Sequence, residues 1–422
     1  MKKNLAIALL GTLCVGASLV INAQAQTKTI SVWYLSDNTW TPYFKAITEK
    51  FEAANPGIKV ELRGYANEPY KTAIQVAIGS NTPPDVFLAG RMNTLVRNGQ
   101  VADLTAYAKK DAWATGLSQG SIKTFTYDNK IYAAPLTVDS SYFYYNKEIF
   151  AKEGLKEPTS LDNMISSCKS LKAKGITPIS FGNSERWTGV HYLTILNQKL
   201  VPQSTRSRDY LLETPDATLL THPGYVRAFQ LLKDMQNAGC FNDAINAVSP
   251  DAARANFFTG KSAMTYCGTW CISTMNANGF AGKYAMFRFP QITGGRGNQN
   301  FIIGGYGAIV MSSKSQQKDA AAAFINVAVS SELQSAFADI GRITVRPNTM
   351  NPAKTDPELI WAANDIAKSE GTAEWLDSTL EPGAADAYLN TIQEVLNGTK
   401  TPQQAMAGIR AQALKVKAQL KK

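Results

Sequence analysis

Histidine is nearly absent from this sequence, which contains only two histidines, His191 and His222, among 422 residues. Structural zinc sites combine cysteine and histidine at short spacings, and the Cys267-x3-Cys271 pair has no further ligands at a suitable distance along the chain. The metalloprotease pattern H-E-x-x-H is missing as well. We therefore expect no metal ion, no cofactor and no nucleophile elbow of the serine-hydrolase type.

Long apolar runs are also scarce. One occurs at residues 5–21, after a basic start, and no later run is long enough to span a bilayer. The small-residue pattern Ala-Gln-Ala follows at residues 23–25. These features are typical of a secretory signal peptide, so we expect residues 1–25 to be removed and the mature chain to begin near Gln26. The predicted location is the periplasm, without a membrane anchor.

A phosphate-binding loop is excluded, although Gly-Lys-Ser occurs at residues 260–262. The pattern G-x-x-x-x-G-K-S requires a glycine five residues before Gly260, and Ala255 stands there. The predicted helix also precedes the predicted strand, which reverses the order found in such loops. Residues 263–266 instead predict a short buried strand that is followed by Trp270. A ring at this position can line a cleft or fill the core.

The charge balance is basic, with 43 Lys and Arg against 33 Asp and Glu and a formal net charge of +10. The charges are scattered and lack the basic clusters, interleaved with aromatic residues, that nucleic-acid binding uses. No nucleic-acid partner is expected. The composition is that of a globular protein, with 45% hydrophobic residues. Because 422 residues are more than a single hydrophobic core usually serves, we expect two lobes.

Four cysteines remain in the expected mature chain. They are Cys168, Cys240, Cys267 and Cys271. An oxidising compartment favours at least one disulfide, and four cysteines permit three connectivities. We predict a bond between Cys240 and either Cys267 or Cys271, because these three flank one predicted helix-turn-strand unit.

Strand and helix patterns alternate in the first part of the chain. Residues 30–34, 58–65 and 84–88 predict strands, and residues 42–54 and 70–79 predict the helices between them. Such alternation gives a parallel or mixed sheet with helices on both faces. The predicted fold class is therefore α/β.

Further strands are predicted where the chain passes between the lobes, at residues 130–135 and 140–145. Residues 301–311 predict another strand, and residues 317–337 predict one long helix. The chain has neither an internal repeat nor a low-complexity linker. We therefore expect several short crossings between the lobes, which do not behave as a flexible tether.

Seven motifs occur in an order and spacing that resemble those of a known family. They lie at residues 51–62, 81–90, 99–105, 135–150, 257–270, 302–325 and 395–406, and they include FEAANPGIKVEL, NTPPDVFLAG and VLNGTKTPQQAM. Over nearly the whole mature chain, the sequence resembles the family 1 extracellular solute-binding proteins, the maltose-binding-protein-like sugar receptors of ABC importers. The resemblance implies two α/β lobes with mixed sheets flanked by helices, a ligand cleft between them and a multi-segment hinge.

The resemblance also implies boundaries for the two lobes. The N-terminal lobe would comprise residues 26–138 plus 291–343, and the C-terminal lobe residues 139–290 plus 344–422. We expect the chain to cross near residues 137–141, 288–292 and 342–346. Three short crossings permit rigid rotation of the lobes. A ligand that touches both lobes then favours the closed form.

Ligands of α/β sheets bind beyond the carboxyl ends of strands, where loops converge. The loops at these positions carry aromatic rings, carboxylates, amides and arginines. Such a set suits sugars, since the apolar sugar face stacks on a ring while hydroxyls pair with polar groups. The predicted ligand-binding residues are Asn38, Trp40, Arg91, Asp139, Glu185, Trp187, Trp270, Gly305, Tyr306 and Arg346. The resemblance aligns Asp139, the loop at residues 185–187, Trp270 and the loop near Ser36 with ligand contacts of the family.

Several of these residues have a structural alternative. Asp139 could cap backbone amides at the hinge, Trp40 could pack against the following helix, and Arg91 and Arg346 could bridge the lobes through ion pairs. The family often has proline two residues before the arginine at 346, where this chain has Thr344. Three other tryptophans lie on helix-like segments and are assigned to packing: Trp113, Trp361 and Trp375.

The expected function is capture of a mono- or oligosaccharide by a monomeric, non-enzymatic receptor that delivers it to the permease subunits of an ABC importer. Arg91, Arg186 and Arg346 are compatible with an acidic sugar. One alternative is a receptor for a polyamine, an opine or a peptide. Another is a secreted glycosidase that uses Asp139 and Glu185 as its two carboxylates.

Overall fold

The computed structural model describes residues 28–420, so the predicted signal peptide lies outside the described residues. The first part of the chain alternates strands and helices as its hydrophobic periods predict. Its elements are β1 (Lys28–Leu35), α1 (Trp40–Ala54), β2 (Ile58–Tyr65), α2 (Asn67–Gly79), β3 (Val86–Leu88), α3 (Met92–Arg97), α4 (Thr105–Lys110), α5 (Trp113–Gly116), α6 (Gln119–Thr124), β4 (Thr126–Tyr127) and β5 (Lys130–Ile131).

The middle part begins with the longest strand of the described chain and continues mainly as helices. Its elements are β6 (Ala134–Asn146), α7 (Lys147–Glu153), α8 (Leu161–Ala173), β7 (Thr177–Ser180), α9 (Trp187–Leu200), α10 (Gln203–Tyr210), α11 (Pro223–Asn237), a 3-10 turn (Ile245–Ala247), α12 (Pro250–Phe258), β8 (Ser262–Gly268), α13 (Cys271–Ala277) and β9 (Tyr284–Phe287). Asparagine and serine N-caps start several of these helices. Asn146 caps α7 and Ser160 caps α8 by accepting backbone N–H bonds.

One strand returns into the sheet before the chain ends in helices. The last elements are β10 (Ile302–Met311), α14 (Lys318–Ala328), α15 (Ser331–Asp339), α16 (Pro357–Lys368), β11 (Thr372–Ala373), α17 (Leu376–Thr379), α18 (Pro382–Asn397) and α19 (Pro402–Leu420). No helix in residues 28–420 is long and apolar enough to cross a membrane.

The main sheet is mixed, which confirms the predicted fold class. Its strand order is β2-β1-β3-β10-β6-β8-β7, with β11 on β10 and β9 on β6. Strand β1 is parallel to β2 and β3, whereas β10 is antiparallel to both β3 and β6. The carboxyl ends of β1 and β3 therefore face the middle of the molecule, where β6 and β10 run through.

Two core clusters lie at the two ends of this sheet. The first core cluster contains Phe44, Leu136 and Ile309, and the second contains Phe143 and Ile303. Strands β6 and β10 each contribute to both clusters. Of the strand expected at residues 130–135, the start forms β5 and the end belongs to β6, which also contains residues 140–145. The first half of β6 pairs with β10 and its second half pairs with β8 and β9.

A third segment lies beside β6 between the clusters. The Val138 N–H donates to the Ile343 carbonyl at 2.9 Å, and Thr137 forms an isolated bridge with Thr344. Ile292 belongs to the second core cluster, as Ile303 does. This packing favours a crossing within β10 over the crossing expected near residues 288–292. The exact lobe boundaries stay a prediction.

The single long helix predicted at residues 317–337 is wrong. Helix α14 ends at Ala328, and Ser330 starts α15 by accepting a bond from the Leu333 N–H through its side-chain oxygen. Serine is a strong N-cap, so the chain breaks and restarts within two residues. Both helices pack apolar faces on the first core cluster, so their hydrophobic residues together resemble the pattern of one continuous helix.

The predicted pairing of Cys240 with Cys267 or Cys271 is also wrong. The structure pairs Cys168 of α8 with Cys240, and Cys267 of β8 with Cys271 of α13. Side chains alternate between the two faces of a strand. Met264 of β8 lies in the second core cluster with Cys240, whereas Cys267 lies in a separate cluster on the opposite face. The sheet therefore separates Cys240 from both of its predicted partners.

Candidate functional site

Four rings meet beyond the end of β8, and we call them the aromatic platform: Trp187, His191, Trp270 and Trp375. Trp187 and His191 are four residues apart on α9, so both rings project from one helix face, with centroids 5.0 Å apart. His191 stacks on Trp375 at 5.4 Å, and Trp375 lies 5.6 Å from Trp270. The three indoles are only partly buried, so the platform keeps ring surface for a ligand.

Two glycines allow the indoles to lie against the sheet. A Cβ atom at Gly268 would overlap the Trp270 ring, and one at Gly305 would lie 3.1 Å from the Trp375 ring. The Trp375 indole N–H also donates to Ser141 Oγ at 3.3 Å. Because Ser141 belongs to β6 and Gly305 to β10, the platform lies directly beside the two strands that run through both core clusters.

His191 is neutral in this setting. The residue is 8% exposed, and burial lowers the pKa of its imidazole to about 4, a shift that the nearby Asp377 carboxylate partly opposes. A neutral imidazole can lie flat against an indole without bringing a charge into the platform.

Carboxylates border the platform on two sides. Glu185 Oε2 accepts the Trp187 indole N–H at 3.0 Å. Glu374, next to Trp375, would lie 3.8 Å from a Cβ atom at Gly305. The Glu374 side chain is exposed to water. The protein around it still removes part of the water from its carboxyl group, and this desolvation raises the pKa of the carboxyl above the usual value. It accepts one weak bond, from Thr379 Oγ1 at 3.5 Å.

One tyrosine from the other end of the sheet, Tyr127, lies near the Glu374 carboxylate. Burial, followed by the Glu374 charge, raises the pKa of Tyr127 to about 12. Tyr306 follows Gly305 on β10 and is half-buried, with its ring 6.3 Å from Phe125. Tyr127 thus lies within reach of the Glu374 charge, whereas the Tyr306 hydroxyl lies near Gly120. The pKa of both tyrosines is raised, so both remain protonated at neutral pH.

Asp139 lies at the centre of β6 and is fully engaged inside the protein. Its Oδ1 accepts from Thr269 Oγ1 at 2.7 Å and from Arg342 Nη1 at 3.1 Å. The Arg342 Nε donates to Thr39 Oγ1 at 2.9 Å, and the guanidinium lies 5.0 Å from the Trp40 ring centroid. These contacts favour the hinge alternative for Asp139, and its ligand role stays a prediction.

The remaining predicted residues differ in their distance from the platform. Trp40 is 5% exposed and packs on Phe337 in the first core cluster, while Asn38 is exposed in the preceding turn. Arg346 donates twice to the Val329 carbonyl, at 2.9 and 2.7 Å, and so binds the end of α14. The contacts of Trp40 favour its packing alternative. Arg346 binds a backbone carbonyl instead of a carboxylate, so both its ligand role and its ion pair between the lobes stay predictions.

Arg91 reaches from the end of β3 toward the helices that follow the platform. Its Nε donates to the Asp377 carbonyl at 3.4 Å, and its Nη2 lies 3.9 Å from Asp386 Oδ1. Nearby, Arg97 holds Glu381 through two bonds of 2.6 and 3.0 Å. We call this set the inter-lobe clamp; it comprises Lys71, Arg91, Thr94 and Arg97 on one side and Asp377, Glu381 and Asp386 on the other.

Sequence reasoning missed several of these residues. Trp375 was assigned to packing on a helix, but it precedes α17 and joins the platform. The strand before it, β11, has only two residues and gives almost no periodic signal. The spacing of Trp187 and His191 could have revealed His191, since positions four apart share a helix face.

The serine-hydrolase pattern G-x-S-x-G does occur, at residues 116–120, although no elbow was expected. Ser118 lies between α5 and α6 and starts α6, so it is not at a strand-to-helix turn. The strained turn that exposes a nucleophile in such enzymes is therefore not formed there.

Comparison with known proteins identifies the family. The profile of the bacterial extracellular solute-binding proteins matches residues 37–335, which is more than half of the chain. The chain belongs to this family. The resemblance inferred from the seven motifs is thereby confirmed.

Among its relatives, the solute-binding protein is 24% identical over 327 residues to the multiple sugar-binding protein of Streptococcus mutans, covering 74% of each chain. It is 23% identical over 380 residues to the diacetylchitobiose binding protein of Streptomyces coelicolor, covering 87% of this chain and 85% of the relative. A chitin oligosaccharide binding protein has a similar structure, with a TM-score of 0.86, 23% identity and coverage of 93% and 100%.

A second solved structure comes from work on xylan utilization by the thermophilic bacterium Caldanaerobius polysaccharolyticus. It has a TM-score of 0.84 and 28% identity, and the alignment covers 91% of this chain and 99% of that chain. The family comprises extracellular solute-binding proteins, so the class of a binding protein outside the cytoplasm is established for this chain.

Proposed function

We propose that this solute-binding protein captures a neutral or charged carbohydrate between its two lobes and delivers it to an ABC importer. The observation that carries the proposal is the aromatic platform, which presents three partly exposed indoles beside the strands that run between the two core clusters. Sugars stack their apolar faces on such rings, and the bordering Glu185 and Glu374 can pair with hydroxyls. The names of the relatives support a carbohydrate.

The proposed motion is rotation of the lobes about three adjacent segments. These are residues 138–141 of β6, residues 303–305 of β10 and residues 342–346. The Asp139–Arg342 ion pair holds the segments together and is 3.1 Å long. With the platform on one side of this hinge and Tyr127 on the other, a ligand that contacts both would do so only when the lobes close.

We further propose that the receptor is an exported monomer, that residues 1–25 are its signal peptide and that permease subunits of other chains receive the sugar. No catalytic activity is proposed, since Glu185 is bound to an indole and Asp139 to Arg342. Incubation with oligosaccharides tests this point. The appearance of hydrolysis products would restore the glycosidase alternative.

The decisive experiment is calorimetric titration with xylobiose, N,N′-diacetylchitobiose, raffinose, galactose and glucose. We expect saturable binding of at least one sugar and a smaller radius of gyration in scattering at saturation. Trp270→Ala should weaken binding by about 1–3 kcal/mol, by analogy with stacking of bases on aromatic rings. Trp361→Ala is the matched control, because Trp361 is 38% exposed on α16, outside the platform. Equal affinities of the two variants, or no binding of any sugar, would refute the proposal.

A further inference from the structure

The charges around the platform carry information about the ligand. The arginines that favoured an acidic sugar each contact protein groups, although the buried Nη1 of Arg91 has no hydrogen-bond partner within residues 28–420. Arg186 Nη1 donates to Asn390 Oδ1 at 2.6 Å, Arg346 binds the Val329 carbonyl, and Arg91 reaches Asp377 and Asp386. Arg342 is held by Asp139 and Thr39. To bind a sugar carboxylate through the donors named here, Arg342 and Arg346 would have to give up these protein contacts.

The carboxylate of Glu374, in contrast to the arginines, has almost no protein partner. Its only hydrogen bond within residues 28–420 is the long contact with Thr379 Oγ1. It stands beside Trp375 and Gly305, where a sugar stacked on the platform would present its edge. Tyr127, whose pKa responds to the Glu374 charge, faces it from β4. An ionised carboxylate accepts hydrogen bonds at several lone-pair positions, so Glu374 has capacity left for ligand donors.

Resting on the proposed function, we propose that Glu374 is a specificity-determining residue that accepts hydrogen bonds from hydroxyl or ammonium groups of the ligand and selects against sugars that carry a carboxylate. The physical reason is that the arginines near the platform contact protein groups, whereas the Glu374 carboxylate accepts only one weak hydrogen bond. A carboxylate placed beside Glu374 would add a like charge at short range, and the repulsion between the two carboxylates would disfavour binding of the acidic sugar. A neutral sugar offers donors instead, and an amino sugar offers a charged donor.

This proposal replaces the acidic sugar that the arginines of the sequence favoured. In the folded chain the arginines serve helix ends and contacts between segments, while the acceptor beside the platform remains available. The preferred ligand class is therefore a neutral or amino sugar.

Matched sugar series test the proposal. The probes are D-glucose, D-glucosamine and D-glucuronate, the corresponding galactose series, and the disaccharides N,N′-diacetylchitobiose, chitobiose and digalacturonate. We expect the neutral or amino member of a bound series to bind at least tenfold more tightly than the acidic member. In Glu374→Gln this ratio should fall by at least fivefold, because the amide removes the repulsion. Glu370→Gln is the control, since Glu370 lies four residues away and accepts from Asn298 and Asn300 on the surface.

The outcomes separate the two proposals. If an acidic member binds most tightly to the wild-type protein, or if Glu374→Gln leaves the ratio unchanged while thermal unfolding shows an intact fold, the charge selection is refuted and the sugar receptor stands. If Glu370→Gln changes the ratio as much as Glu374→Gln does, the local role of Glu374 is refuted. If no sugar of any series binds, the receptor proposal fails together with this inference.

Discussion

The inter-lobe clamp makes a quantitative prediction about ligand affinity. Its central contact is the Arg97–Glu381 pair, with bonds of 2.6 and 3.0 Å and a third bond from Thr94 Oγ1 at 3.2 Å. Arg97 lies at the end of α3 and Glu381 directly before α18, 284 residues apart. Since α3 follows a strand of the first core cluster and α18 packs in the second, we expect the pair to form only while the two proposed lobes are closed.

The magnitude follows from the exposure of the two partners. The Glu381 side chain is 8% exposed and the Arg97 side chain is 41% exposed. Exposed ion pairs contribute about 0–1 kcal/mol, and hydrogen bonds to charged groups contribute about 1.5–3 kcal/mol. A half-exposed bidentate pair lies between these limits, so we expect about 1–2 kcal/mol in favour of the closed form. Arg97→Ala should then weaken sugar binding by about 5- to 30-fold.

A double-mutant cycle measures this contribution. Calorimetric titrations of the wild type, Arg97→Ala, Glu381→Ala and the double variant give the coupling energy, which should equal most of the loss in Arg97→Ala. Raising the salt concentration should weaken binding to the wild type more than binding to the double variant. Arg63→Ala is the control, because Arg63 pairs with Glu61 at the surface of β2, within one lobe. A coupling energy near zero, or equal effects of Arg97→Ala and Arg63→Ala, would refute the clamp.

Two further predictions concern the platform. The pKa of His191 is about 4 in the folded protein against an ordinary value of 6.5, so its contribution to stability is complete above pH 6.5 and is lost as the pH falls toward 4. Urea unfolding should show that the wild type loses on the order of 3 kcal/mol more than His191→Phe over this range, and parallel pH profiles would contradict it. Gly268→Ala should displace the Trp270 indole and weaken sugar binding, whereas Gly79→Ala, where a Cβ atom meets nothing within 4 Å, should bind normally. Unchanged sugar binding and unchanged tryptophan fluorescence in Gly268→Ala would show that Gly268 is not needed to place the Trp270 ring.

The sequence predicted the strongly periodic elements well. Strand β2 occupies residues 58–65 as expected, and Trp270 follows the short buried strand β8. These features depend on local patterns, because a period of two or 3.6 residues and a bounding glycine act over a few positions. The break between α14 and α15 was missed because both helices share one apolar face, and the Ser330 cap was the local signal that was overlooked.

Contacts between distant segments could not be predicted in the same way. The disulfide partner of Cys240 was predicted wrongly, because the choice depends on which face of β8 Cys267 occupies in the assembled sheet. The same is true of the arginines. Arg346 stands in a loop that is compatible with ligand binding, but its guanidinium donates to the carbonyl of Val329 in the folded chain.

By itself, the sequence determined the α/β class, the alternation of the first five elements and, through the order of its motifs, the family. It also contains an export signal, which stays a prediction. Only the tertiary structure decided which charged groups are engaged and which remain available. Arg342 reaches Asp139 across 203 residues, and Trp375 joins a platform whose other rings come from α9 and from the turn after β8. The physical reason is that hydrophobic periods record burial, whereas the partner of a polar side chain is set by the packing of segments far apart in the chain.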